Sequence, residues 1–114
     1  MIQNVPKNAW VRYNVGQWML GDGRFKKDAV LYLRAAINSQ QLPIEVRGTA
    51  YKKLGLALMG VGNMTRAEES LLAALEQSPP DYQAYCLLSE VFDQMGRLKE
   101  AVQAEKSCSN LASK

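Results

Sequence analysis

The apolar residues near the middle of the chain recur at helical spacing. Tyr51, Leu54, Gly55 and Leu58 follow i, i+3, i+4, i+7, which sets them on one face of a helix. Ala67, Leu71, Ala74 and Leu75 repeat the stripe on a second helix. Between them, Gly60-Val61-Gly62-Asn63 supplies residues that tolerate the left-handed conformation in which helices end. Thr65-x-x-Glu68 reads as a capping box that starts the second helix. Pro79-Pro80-Asp81 stops that helix, and Asp81 is suited to N-cap the next one. The pattern predicts a helical hairpin whose small residues, Gly55, Ala67 and Ala74, let the two axes approach closely.

The same pattern returns along the chain. Tyr51-x-x-Leu54-Gly55-x-x-Leu58, then Gly62, Ala67, Leu71, Ala74 and Pro79, recurs 34 residues later as Tyr85-x-x-Leu88-Ser89-x-x-Phe92, then Gly96 and Ala101. A weaker copy lies upstream at an offset of 39: Arg12-x-x-Val15-Gly16-x-x-Met19, then Gly23, Ala29, Leu33 and Ala36. One of the five additional residues falls in the turn between Gly23 and Ala29; the others surround Ser39-Gln40-Gln41-Leu42-Pro43, where longer helices or a longer connection are expected. A 34-residue period with these landmarks resembles the tetratricopeptide repeat. The middle copy matches best, the third departs at Ser89, Glu105 and Ser113, and the first departs in length and at Arg12.

The resemblance implies an all-α fold of three tandem helix-turn-helix repeats, at about 9–43, 44–80 and 81–112, stacked as a short right-handed α-solenoid. A tail, 1–8, precedes this single domain, 9–112. In such a stack the first helix of each repeat lines a concave groove that holds a peptide or protein segment. Mapped by the motif, the groove comprises Trp10, Tyr13, Gln17 and Leu20, then Thr49, Lys52, Leu56 and Met59, then Gln83, Cys86, Glu90 and Asp93. It is aromatic and apolar at one end and acidic at the other, although Leu56 and Met59 equally suit core packing. Lys52 is the single basic residue in this map, too little for the clamp with which some members grip a chaperone's C-terminal carboxylate. Gln17, Leu56 and Glu90 at equivalent positions do not form a base-reading code for RNA.

A second surface follows from the same register. Ala50, Leu54 and Ala57, and then Ala84, Leu88 and Val91, are expected to pack on the preceding repeat. Their counterparts Val11, Val15 and Trp18 have no preceding repeat in this sequence and predict a second interface, for dimerisation or for docking onto another part of a longer parent chain. The alternative cover is the tail with Ile2, Val5 and Pro6. The alternative function is accordingly an assembly element that self-associates or stacks on other repeats.

Composition narrows the chemistry. With 114 residues, 47% hydrophobic and 22% charged, the chain suits one folded domain with a modest core. No apolar run approaches the ~20 residues that cross a bilayer, and the first residues lack a secretory apolar core; no membrane insertion and a cytoplasmic location are expected. The net charge of +3 arises in the first 47 residues, where Lys7, Arg12, Arg24, Lys26, Lys27, Arg34 and Arg47 outnumber Asp22, Asp28 and Glu45 without clustering, so no nucleic-acid partner is expected. The sequence contains no histidine, which removes the commonest general base and metal ligand, and no enzyme activity, catalytic residue, metal or cofactor is expected. Glu90 and Asp93 share a helix face, but nothing converges on them to make an acid-base pair. Arg97 is expected on a turn remote from the groove. Cys86 and Cys108 are expected as two small, buried or half-buried residues, with a disulfide between antiparallel helices as the alternative.

Overall fold

The computed structural model describes residues 8–112. Among these, six α-helices and no strands are present: α1 (Ala9–Gly21), α2 (Lys26–Asn38), α3 (Ile44–Gly60), α4 (Met64–Glu76), α5 (Ala84–Gln94) and α6 (Leu98–Ala112), with a short 3-10 turn, Gly23–Phe25, before α2. They pair in sequence as α1/α2, α3/α4 and α5/α6, and α3 and α5 pack on the preceding hairpins.

The helix ends follow local chemistry. At the end of α3, Gly62 adopts φ 83°, its amide donates to the Met59 carbonyl and the Asn63 amide donates to Leu58. Gly96 repeats this at the end of α5 with φ 76°, Gly96 donating to Asp93 and Arg97 to Phe92. Both are Schellman closures, in which glycine avoids the Cβ clash of the left-handed region. The start of α4 differs from the expected capping box. Asn63, not Thr65, is the N-cap, its side chain accepting from the Arg66 amide at 3.2 Å. Because Asn63 directly follows the left-handed glycine, the helix begins one residue before Thr65, and Glu68 is free to pair elsewhere. In the first hairpin the additional turn residue gives another solution: Asp22 accepts from the Arg24 amide and side chain and opens the 3-10 turn.

Two hairpins share one packing device. A Cβ placed on Gly55 would lie 2.7 Å from Leu71, and one on Gly16 would lie 2.9 Å from Leu33. Both leucines are fully buried, so each sits against bare backbone of the partner helix. The third hairpin has Ser89 and Glu105 at these positions. Its helices are joined instead by a disulfide, Cys86–Cys108, with Cα atoms 4.9 Å apart. The expectation of two unlinked half-buried thiols is thereby corrected: antiparallel α5 and α6 bring the two Cα atoms within bridging range.

Between hairpins, Ala50, Leu54 and Ala57 of α3 and Ala84, Leu88 and Val91 of α5 are all buried, as their register requires. The additional residues of the first copy appear as a longer helix: α3 has 17 residues against 13 in α1. The connection before it is short, with Leu42 buried and Arg47 donating to the Leu42 and Gln40 carbonyls. Arg97 is more than a turn residue. It bridges Glu68 of α4 at 2.5 Å and Glu100 of α6 at 2.6 Å, and its guanidinium lies 4.6 Å from the Phe92 ring centre.

Candidate functional site

The expected groove residues stand on α1, α3 and α5, with Gln83 at the N-cap of α5, and the structure links several of them across the helix gaps. Lys52 donates to the Gln83 side chain at 2.8 Å and forms an ion pair with Asp81 at 3.2 Å. The Thr49 hydroxyl donates to the same Asp81 carboxylate at 3.1 Å, and the other Asp81 oxygen accepts from the Gln83 amide at 3.0 Å. Asp81 therefore caps the turn that leads into α5, whose N-cap is Gln83 and not Asp81 as expected, and also ties α3 to the third hairpin. Gly48 permits this approach, since a Cβ there would lie 2.9 Å from the Pro79 carbonyl oxygen. A cleft of about 450 Å³ opens over the cluster, lined among others by Glu45, Pro80, Tyr82 and Leu111.

At the α1 end, Trp10 stacks on Tyr13 with ring centres 5.7 Å apart. Tyr13 is buried, while Trp10 is 47% exposed. Lys53 reaches across from α3, donating to Gln17 and standing 6.0 Å from the Tyr13 ring centre. Burial is the main cause that lowers the Lys53 pKa, assisted by repulsion from Lys52 and opposed by Asp81. Burial, and then the charge of Asp81, raises the Tyr13 pKa.

The remaining expected residues are distributed unevenly. Leu20 and Met59 are half-buried against the core, whereas Leu56 and Gln17 are exposed. Cys86 is held in the disulfide. Glu90 and Asp93 are exposed and open, with Ser89, onto a second cleft of about 660 Å³ that runs between α5 and α6 past Leu98, Val102 and Glu105. On the opposite end of the molecule, Val11 and Trp18 are 41% and 62% exposed and Val15 is half-buried; the tail residues expected as a possible cover lie outside the described residues.

Two residues of the cluster were not legible as groove residues. A map that takes fixed motif positions selects Lys52 and passes over its neighbour Lys53, whose four-carbon stem reaches Gln17 from the adjacent position. Asp81 reads in sequence as a cap, and only the close approach at Gly48 brings its second oxygen to Thr49 and Lys52.

Among the described residues, no group of three or more His, Cys, Asp or Glu side chains is placed to hold a metal ion, and no helix is long and apolar enough to cross a membrane. No curated protein shows significant similarity to the chain. A family model described as tetratricopeptide repeat matches residues 48–81 and 82–113, more than half of the sequence. These matches fall on the α3/α4 and α5/α6 hairpins, whose turns share the left-handed glycine 34 residues apart, and the chain belongs to the tetratricopeptide repeat family.

Proposed function

We propose that the chain is a non-catalytic binding module that holds a segment of a partner protein along the face shared by α1, α3 and α5. Tetratricopeptide repeats are generally protein–protein interaction modules and generally non-catalytic. The observation that carries the reading is the continuous set of accessible side chains on three successive first helices: Trp10 on α1, Thr49 and Lys52 on α3, and Gln83 and Glu90 at and along α5. An exposed indole offers apolar stacking, and the Lys52–Asp81–Gln83 cluster offers donors and acceptors to a peptide backbone in a cleft of about 450 Å³. Lys52 is already engaged by Asp81 and Gln83, which argues against a dedicated carboxylate clamp. The disulfide favours an oxidising compartment over the cytoplasm expected from sequence.

The test begins with peptides selected from a random display library on the immobilised protein and continues with calorimetry. Trp10→Ala, Lys52→Glu and Glu90→Lys are each expected to weaken the selected peptides about 10-fold or more, as central interface side chains do. Lys99→Glu, exposed on α6, is the control; Arg97 is unsuitable because it anchors α4 to α6. Circular dichroism verifies that helicity is retained. Equal affinity for the parent and all three groove variants overturns the proposal.

A further inference from the structure

The two ends of the stack carry the two halves of one kind of contact. Inside the molecule, α3 and α5 each bury an apolar stripe against the hairpin before them. The stripe in the same register on α1 is Val11, Val15 and Trp18; among the described residues Val11 and Trp18 are left 41% and 62% exposed, and Val15 is half-buried. At the other end, α6 presents Leu98 and Val102, 60% and 51% exposed. Val102 stands 34 residues after Glu68, and Glu68 is the side chain with which α4 holds Arg97 of the following hairpin. That helix position therefore faces the next hairpin in the stack, and in α6 it is an uncovered valine.

The turn residues match as well. Gly23-Arg24 is the counterpart of Gly96-Arg97, and Arg24 lies 5.3 Å from the Phe25 ring centre, much as Arg97 lies over Phe92. Phe25 in turn packs on Trp18, ring centres 5.7 Å apart, so Arg24, Phe25 and Trp18 form one surface. An arginine in this place reaches the preceding hairpin at the Glu68 position, which in α6 is Val102 with Glu105 one turn further on.

Size and charge are complementary. The interior stripes are small because they meet filled helix pairs. The α5/α6 pair, with Glu105 where Leu71 fills the middle pair, leaves a cleft of about 660 Å³ that has room for the bulkier Trp18. Glu90, Asp93 and Glu105 line that cleft without a lysine or arginine among its lining residues. α1 itself carries no acidic residue and is followed by exposed Lys26 and Lys27 and by Arg24, which is paired with Asp22 at 2.8 Å.

We propose that the protein stacks head to tail with a second copy of itself, the Val11–Val15–Trp18 stripe and Arg24 of one protomer seating on Leu98, Val102 and the carboxylates of the α5/α6 cleft of the next. The contact is heterologous, so each protomer keeps one free end and assembly continues by addition unless the rotation closes a ring. Its apolar half, Val11, Val15, Trp18, Leu98 and Val102, lies outside the peptide groove, whereas Glu90 and Asp93 belong to both surfaces.

Sedimentation velocity from micromolar to millimolar concentration tests the proposal. The parent is expected to grow with concentration beyond a dimer, less so at high salt because charge pairing is screened. Trp18→Lys removes one half of the contact and Val102→Lys the other, so each variant alone is expected to remain monomeric with unchanged helicity. Their equimolar mixture retains one intact interface and is expected to form a dimer and stop there. A Val102→Lys variant that associates as the parent does indicates an isologous contact through the α1 face and overturns the proposal. A parent that is monomeric throughout also overturns it; Trp18 emission shielded from iodide in a Trp10→Phe background then identifies the N-terminal residues as the cover.

Discussion

A methyl group in place of the Gly55 hydrogen would meet Leu71 at 2.7 Å, well inside van der Waals contact, and Leu71 is fully buried with nowhere to move. Gly55→Leu is therefore expected to lower stability by about 1–3 kcal/mol, the usual cost of overpacking, and to lower the melting temperature. An unchanged melt would refute the packing assignment. The need for a small residue at Gly55 was legible because the repeat pattern and the helical period place it opposite the second helix. The electrostatics of Asp22 were not, because they depend on a turn whose additional residue lets Arg24 fold back onto the carboxylate. Hydrogen bonds from the Arg24 side chain and then from its amide lower the Asp22 pKa from 3.8 to about 2. A carboxylate depressed in the folded state stabilises it above the unfolded group's pKa, and the contribution is lost as pH falls through the range from 3.8 to about 2. A carbon-detected NMR titration should place the Asp22 midpoint near that lower value, and Arg24→Ala should move it upward; an unmoved midpoint would show that the pair is not formed in solution.

At the scale of elements, the three hairpins share a fold but not a fastening. The first and second use a glycine against a leucine, Gly16 with Leu33 and Gly55 with Leu71. The third has Ser89 and Glu105 there, and the disulfide joins α5 to α6 instead. With a sequence separation of 22 residues, the bridge is expected to contribute about 3 kcal/mol by restricting the unfolded chain. Melts with and without reductant should differ accordingly for the parent, while a Cys86→Ser, Cys108→Ser variant should melt at the lower temperature in both. Identical melts of the oxidised and reduced parent would count against the bridge as a fastening. The departures at Ser89 and Glu105 were visible in the sequence as breaks in the repeat. Their connection with the cysteines was not, because residues 22 apart become neighbours only when the turn at Gly96 sets the helices antiparallel.

For the molecule as a whole, the middle hairpin is the one that, among the described residues, is covered on both sides, by α2 and by α5. Repeats of this kind draw stability from their neighbours, so the central unit should open least often. Hydrogen exchange is expected to be slowest in the buried turns of α3 and α4, around Leu54, Leu58 and Leu71, and faster in α1 and at the end of α6; uniform protection of all six helices would instead mean that the stack opens only as one unit. The period of the apolar residues determined the helices, their pairing and the faces they bury, since each follows from residue spacing along a single helix and from recurrence along the chain. The glycine turns at Gly62 and Gly96 were legible for the same local reason. Tertiary structure decided what depends on distances between helices. It set Asp81 between Thr49, Lys52 and the third hairpin, sent Lys53 rather than Lys52 to α1, buried Tyr13 behind Trp10, and joined Cys86 to Cys108. Helical periodicity states which way a side chain points, whereas its partner is fixed only by how far the next helix stands and at what height it passes.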